Sequence, residues 1–187
     1  AATPTNTSPD PGHLTVADAQ TTALTLAIDV VASYTLYVYE AVQERVWEDT
    51  FTDTQYLYAS ASTTVSAGTL SLSESAGTYE AEGYVRAVPV SVAYLSRWKE
   101  IEVDDDVPPS TAIRYRVYQD DLGTLVPEND LPGNTDGFSV SPIDISGLAT
   151  TTYPTVRVGA TLTTLDSGVS PHIYEWRVRY DQGPIPF

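Results

Sequence analysis

The sequence contains no cysteine and no methionine, and Lys99 is its only lysine. Without cysteine the chain cannot form a disulfide framework, a thiolate metal site or a thiol nucleophile. These absences exclude several classes of small secreted scaffold and several classes of enzyme. They do not identify the compartment, because many exported microbial proteins also lack cysteine.

Positive charge is scarce: 25 acidic residues stand against nine Lys and Arg, which gives a formal net charge of −16. Nucleic acids and anionic membrane surfaces both require concentrated positive charge. No apolar run approaches the roughly 18 residues of a membrane span. We therefore expect no nucleic-acid partner and no membrane insertion. The acidity serves solubility or, alternatively, acidic clusters bind divalent cations.

Catalytic motifs are also missing. The two histidines, His13 and His172, are not accompanied by a nucleophile elbow, a phosphate loop or a second metal-spaced histidine. Acidic residues are so common that no catalytic carboxylate pair stands out. We predict a protein without enzymatic activity, with no catalytic residues and no required cofactor.

Strict alternation of apolar and polar residues marks residues 156–162 and 176–180. Such a period of two is typical of a strand with one buried face and one solvated face. The connector 166–171 contains Gly and Pro, which separate the two strands. The predicted core consists of two tryptophans and four other apolar residues. These residues are Trp98, Phe138, Val158, Leu162, Trp176 and Val178.

Short β-forming segments divided by Gly and Ser occupy much of the remaining chain. They are predicted at residues 55–59, 64–65, 69–72, 78–85, 88–94, 98–103 and 113–118. Many short strands with turn signals between them favour an antiparallel sandwich or jelly roll. No segment predicts a helix of three turns.

The chain is predicted to have three parts. Residues 1–13 form an extended arm rich in Pro and Thr, with almost nothing to bury. Residues 14–44 form an N-terminal β extension, suited to strand exchange or to a fibronectin-like pairing. Residues 45–187 form a jelly-roll-like β-sandwich. Ala1 and Ala2 would suit a mature end left after cleavage at small residues, so we expect export.

Several motifs occur in one order: Trp98, residues 113–118, Leu131-Pro132-Gly133-Asn134, residues 143–146, 156–162 and 176–180. This order resembles a jelly-roll module of the galactose-binding-like or concanavalin-like kind. Such modules recur in secreted bacterial surface proteins and in phage tail or fibre proteins. The resemblance covers residues 47–180. It implies an antiparallel jelly-roll-like sandwich on a cell or virion surface, acting as a glycan binder, spacer or assembly unit.

The resemblance also implies a structural calcium ion near the first strand of the module. Calcium takes six to eight oxygen ligands from carboxylates and carbonyls in loops. Asp49 and Asp53 are the carboxylates at that place, and a solvated acidic loop is the alternative interpretation. Asn6 begins a sequon for N-glycosylation, a pattern that also arises by chance.

Two functions are compatible with these features. Apolar residues at the chain ends would add a strand to a neighbour's sheet edge, and these residues are Leu14, Val16, Leu24, Leu26, Ile28, Val30, Ile185 and Phe187. The main hypothesis is a self-associating extracellular structural protein, a repeating subunit or adhesive module of a surface filament or virion appendage. The alternative is a carbohydrate-binding module of a secreted protein, in which rings stack on sugars, with Trp47, Tyr56, Tyr58 and Tyr118 as candidates.

Overall fold

β-strands make up the framework of the computed structural model, which describes residues 42–119 and 123–183. These residues form no helix, so the predicted all-β antiparallel sandwich is confirmed. In chain order the strands are β1 (Gln43–Asp49), β2 (Leu57–Ala61), β3 (Thr63–Ser66), β4 (Thr69–Leu72), β5 (Glu74–Ser75), β6 (Thr78–Tyr79), β7 (Glu82–Ala87), β8 (Val90–Ser91), β9 (Leu95–Asp106), β10 (Thr111–Tyr118), β11 (Ile143–Asp144), β12 (Thr155–Thr164) and β13 (His172–Gln182). The predicted arm, most of the N-terminal extension, Asn6 and all eight predicted assembly residues lie outside the described ranges.

The first sheet has six strands, in the order β11-β9-β13-β4-β3, with β1 also paired to β13. The long strand β9 follows β13 along its whole length. On the other edge, β4 pairs with the first residues of β13 and β1 pairs with residues 176–182. All of these pairings are antiparallel, and β13 is the strand that holds the sheet together.

The second sheet has five strands, in the order β10-β12-β7-β2, with β8 also paired to β12. The chain that follows β10 returns to the same strand through single bridges, Tyr115 to Phe138 and Tyr118 to Leu125. A separate small hairpin joins β5 to β6. Its turn residues Ala76 and Gly77 both have positive φ, as expected for the turns that match the twist of a two-residue hairpin.

One hydrophobic core contains residues from both sheets. Five of the six predicted core residues, Trp98, Val158, Leu162, Trp176 and Val178, are at most 1% exposed. Phe138 is only partly buried and packs against the core from its loop. Full burial of a large apolar side chain contributes about 1.5–3 kcal/mol, so these residues account for much of the stability of the sandwich.

The solvated face predicted for residues 156–162 is wrong for the first half of β12. Residues 156–160 are all buried, including Arg157 on the side that alternation assigns to solvent. β12 is a central strand, and arginine and tyrosine side chains from its neighbours lie across that side. A polar residue in an alternating pattern was therefore buried by other long polar side chains, which periodicity does not reveal.

Two predicted segments differ from the observed strands. The segment 78–85 is divided into β6 and β7, and only Val90 and Ser91 of the segment 88–94 form a strand. Pro89 cannot donate a ladder hydrogen bond, which shortens the second segment. β1 begins at Gln43, two residues before the predicted start of the sandwich.

Tyr115 connects the two sheets through a polar contact. Its ring is buried on the inner face of β10, and its hydroxyl donates to Asp105 on β9 at 2.6 Å. Burial, and secondly the carboxylate of Asp105, raise the pKa of Tyr115 far above its usual value. Trp98 makes a second buried link, because its indole N–H donates to the carbonyl of Tyr153 at 2.8 Å. These contacts fix how the five-stranded sheet lies over the other sheet.

Candidate ligand-binding face

Arginine and tyrosine side chains cover the outer side of the five-stranded sheet. In β10 the buried residues Ile113, Tyr115 and Val117 point inward, so the alternate residues point outward. The same alternation applies to β7 and β12, and a bulge in β2 adds one more ring. We call the resulting surface the Arg–Tyr face, and it consists of Tyr58, Tyr84, Arg86, Arg114, Arg116, Tyr118 and Arg157.

Strand register places these side chains in rows. One row runs from Arg114 on β10 across Thr161 on β12 to Tyr84 on β7. The next runs from Arg116 across Gly159 to Arg86. Tyr118 and Arg157 form the start of a third. Since neighbouring strands lie about 4.8 Å apart, the rows bring the side chains into one continuous patch.

Two cation–π contacts organise the patch. The guanidinium carbon of Arg157 lies 4.0 Å from the ring centre of Tyr58, and that of Arg86 lies 5.5 Å from the ring centre of Tyr118. Such contacts stabilise by about 0.5–1 kcal/mol at exposed sites and more where water is excluded. Arg157 is 5% exposed, whereas Tyr58 above it is 51% exposed. The buried arginine therefore supports an exposed ring.

Gly159 allows the side chains to lie flat on the sheet. A Cβ atom at this position would be 2.6 Å from Cε2 of Tyr118, 2.9 Å from Cγ of Arg86 and 3.0 Å from the carbonyl of Val85. Real Cβ contacts are almost never this short. Glycine at the centre of β12 is therefore a packing requirement of the Arg–Tyr face.

The loop after β10 is fastened beside the patch by Arg116. Its guanidinium donates to Thr161 on β12 at 3.2 Å and to the carbonyls of Thr135 and Asp136 at 3.3 Å each. Glu128 closes the same loop by accepting the N–H groups of Gly133 and Thr135, which lowers the pKa of Glu128.

Asn134 fixes this loop to the core. Its side chain is fully buried; its oxygen accepts the N–H of Val117, and its nitrogen donates to the carbonyls of Val117 and Val126, all at 2.8 Å. The amide thus replaces a missing strand partner for β10. This structural role was not predicted from the sequence, in which Asn134 was noted only as part of the motif 131–134.

Three arginines of the Arg–Tyr face have no carboxylate partner in the part of the chain that the structure describes. Among the described residues, Arg86, Arg114 and Arg116 form no ion pair with a carboxylate. Glu82 is the one acidic residue in the outward rows of β7, β10 and β12. Within the described ranges these three arginines therefore keep their positive charge, although the chain carries a net charge of −16.

The outer side of the six-stranded sheet has the opposite arrangement, and we call it the ion-pair face. Lys99 and Arg179 both contact Glu44, Arg179 also contacts Glu102, and Arg177 contacts Glu175. A cleft of about 300 Å³ lies beside these residues. Its arginines already bind carboxylates, so it offers no free positive charge to a ligand.

The structure divides the four predicted glycan-binding residues into two places. Tyr58 and Tyr118 belong to the Arg–Tyr face. Trp47 instead lies opposite Val178, packs against the core and makes an edge contact with Tyr56 at 5.6 Å. Sequence reasoning missed Tyr84 and the four arginines of the face. The signal was present in residues 113–118, where arginines alternate with apolar residues.

The predicted calcium ligands do not form a suitable donor set. Asp49 is 4% exposed and accepts the N–H of Phe51 at 2.9 Å; burial raises its pKa. Asp53 is exposed and accepts the N–H of Gln55 at 2.8 Å. Within residues 42–119 and 123–183 no group of three or more His, Cys, Asp or Glu is placed to hold a metal ion. Calcium at this place stays a prediction that the geometry does not support.

His172, one of the two histidines, is half-buried at the first position of β13, where its ring stacks on Tyr174 with the ring centres 6.3 Å apart. Comparison of the chain with protein-family models, curated proteins and solved structures gave no match. In the part of the chain described, no helix has the length and apolar character needed to cross a membrane. A functional assignment therefore rests on the geometry of the surface.

Proposed function

We propose that this chain is a non-enzymatic, extracellular carbohydrate-binding module with an adhesive role, and that its sugar ligand binds the Arg–Tyr face. The observation that carries the proposal is the exposure of Tyr58 (51%) and Tyr84 (44%) beside arginines on one rigid sheet. Both rings share their surface with arginines, which are strong hydrogen-bond donors.

The chemistry of the face suits a sugar. Aromatic faces pack against the C–H side of a sugar ring, and a guanidinium offers five N–H donors to hydroxyl or acidic oxygens. The cation–π contact with Arg157 holds the ring of Tyr58 in place before binding, which reduces the ordering entropy that binding costs. A sheet positions such groups more precisely than a loop does.

A glycan array tests this proposal with the full chain and two variants, Tyr58→Ala and Tyr84→Ala. We expect the wild type to bind a subset of glycans, and each variant to lose binding by about tenfold or more, as is typical of aromatic anchors. Tyr174→Ala is the matched control, because Tyr174 is 38% exposed on β13 of the other sheet. Binding that survives both variants, or that Tyr174→Ala removes, would contradict the proposal.

A role in assembly is the second candidate, supported by the edge strand β1. Among the described residues β1 pairs with β13 alone, and Val46 on it is 40% exposed. The predicted extension 14–44 leads directly into this strand. We propose that the extension of one subunit adds to the open edge of β1 in the next, which repeated head to tail gives a filament or appendage.

Negative-stain microscopy and sedimentation separate this candidate from the first. If the chain polymerises, Val46→Lys should reduce assembly, since charge on an edge strand opposes pairing, and removal of residues 1–20 should abolish it. A chain that stays monomeric at high concentration while binding glycans would leave only the carbohydrate-binding role.

A further inference from the structure

We infer that the ligand of the Arg–Tyr face is an acidic polysaccharide, a sugar polymer bearing carboxylate or sulfate groups. The inference rests on the proposed carbohydrate-binding function and names its ligand class. Its basis is the distribution of positive charge: four of the nine Lys and Arg residues in the chain, Arg86, Arg114, Arg116 and Arg157, lie on the outer side of this one sheet.

The arginines of this face differ in the contacts that their side chains already make. Arg114 is exposed, and its side chain forms no hydrogen bond or ion pair with another described residue. Arg86 is half-buried against Tyr118 and likewise has no ion-pair partner in the described ranges. Arg116 donates to neutral oxygens only, so its positive charge is not cancelled. All three leave positive potential at the surface.

This arrangement is selective within the molecule. On the ion-pair face, Lys99, Arg177 and Arg179 each contact at least one glutamate. Arg97, at 58% side-chain exposure, is paired with Asp181 at 2.8 Å. Four arginines have no carboxylate partner among the described residues: Arg45 on β1, whose guanidinium donates to the side chain of Gln43, and Arg86, Arg114 and Arg116, which lie together. Positive charge is thus retained where the exposed tyrosines are.

The spacing of the guanidiniums suits a polymer. Arg114 on β10 and Arg86 on β7 are separated by the intervening strand β12 and lie in adjacent rows, so their backbones are about 12 Å apart. Tyr84 is in the same row as Arg114. A sugar chain that crosses the strands can stack on the ring of Tyr84 while two of its acidic groups meet two guanidiniums. The fork of each guanidinium matches a carboxylate or sulfate in a bidentate manner.

Other anionic ligands fit less well. Nucleic acids need many phosphate contacts from Lys and Arg, and the net charge of −16 opposes a long, densely charged duplex. At physiological ionic strength screening acts over about 8 Å, so the local positive potential of the patch still operates at contact distance. An acidic polypeptide, including a second copy of this chain, would use the arginines but has no flat C–H face for Tyr58 and Tyr84.

Isothermal titration calorimetry on the full chain at physiological ionic strength tests the inference. The probes are polygalacturonate, dextran sulfate, neutral galactan and poly-glutamate. We expect polygalacturonate or dextran sulfate to bind about tenfold or more tightly than galactan, the factor expected from one charge-assisted hydrogen bond. Arg114→Gln should remove most of that preference, and Arg86→Gln should weaken it further. Arg97→Gln, which alters an exposed arginine of the other sheet, should not change it.

Each outcome decides a different point. Galactan bound as tightly as the acidic polymers would overturn the acidic ligand class and leave the carbohydrate-binding role standing. No binding to any polysaccharide in this set or on the glycan array would overturn both. Poly-glutamate bound as tightly as polygalacturonate, or self-association that Arg114→Gln removes without any sugar binding, would replace the polysaccharide with an acidic polypeptide. A preference between carboxylated and sulfated polymers identifies which acidic group supports the inference.

Discussion

The two outer faces of the sandwich show how differently one acidic chain uses its few positive charges. On the ion-pair face, Arg177 and Arg179 of β13 contact glutamates on the neighbouring strands β1 and β9, and Lys99 of β9 reaches Glu44 of β1 across β13. On the Arg–Tyr face, arginines alternate with tyrosines, and Arg86, Arg114 and Arg116 have no carboxylate partner among the described residues. Both faces are built on antiparallel strands, and they differ in the side chains that those strands carry.

The comparison separates two uses of charge. Exposed ion pairs contribute little to stability, but they neutralise a surface and specify which strands stand side by side. Arginines held by rings and carbonyls keep their charge available to a ligand. The ion-pair face therefore serves the fold, and we propose that the Arg–Tyr face serves recognition.

The largest expected effect comes from removing the support beneath the Arg–Tyr face. Asn134→Ala leaves the N–H of Val117 and the carbonyl of Val126 without their partners and removes one of the two donors to the carbonyl of Val117. Because each buried unsatisfied group costs about 1–3 kcal/mol, we expect the free energy of unfolding to fall by about 3 kcal/mol or more in urea titrations. Asn129→Ala, an exposed asparagine of the same loop, is the control. A loss no greater than that of the control would show that the loop is held by other contacts.

A smaller effect is expected from disturbing the face itself. Gly159→Ala places a methyl group against Tyr118, Arg86 and the backbone of Val85, and overpacking of this kind costs about 1–3 kcal/mol. The variant should also weaken polysaccharide binding, since the two side chains must move.

Gly147→Ala provides the matched control for that experiment, because a Cβ atom there meets no atom within 4 Å. Thermal unfolding and calorimetric titration of both variants make the comparison. If Gly159→Ala were as stable as Gly147→Ala and bound equally well, the close packing described over β12 would be wrong.

The smallest effect is expected on the ion-pair face. Lys99→Gln removes the main contact of Glu44, whose pKa is lowered first by the hydrogen bond from Lys99 and then by its charge. We expect the pKa of Glu44 to rise toward its usual value in an NMR titration. A raised pKa here means that Glu44 is protonated at a higher pH in the variant. Stability near neutral pH and polysaccharide binding should both stay within error of the wild type, because the pair is exposed. A marked loss of either would give this face a role that we do not assign to it.

Sequence reasoning recovers the strand framework because alternation and turn residues act locally. Trp98, Trp176 and Leu162 were identified as core on pattern alone, and all are fully buried. The burial of Arg157 and Trp47, in contrast, is not predicted by the local sequence pattern. Arg157 is buried beneath the ring of Tyr58 from β2, and Trp47 faces the core because β1 pairs with β13 near the other end of the chain. Both depend on strand order, which a single sequence does not specify.

The Arg–Tyr face is hidden from the sequence for the same reason. Its members come from residues 58, 84–86, 114–118 and 157, and only the order β10-β12-β7-β2 brings them together. Within β10 the alternation of Arg114 and Arg116 with apolar residues could have indicated a cationic outer side. That Arg86 and Arg157 would join it required the register.

Chemical-shift mapping by NMR tests the central claim most directly. During titration of the full chain with a short oligomer of galacturonate, we expect the largest backbone shifts at Tyr58, Tyr84, Arg86 and Arg114, and unchanged signals at Lys99, Arg177 and Arg179. Shifts centred on the ion-pair face, or none at saturating oligomer, would contradict the assignment of recognition to the Arg–Tyr face.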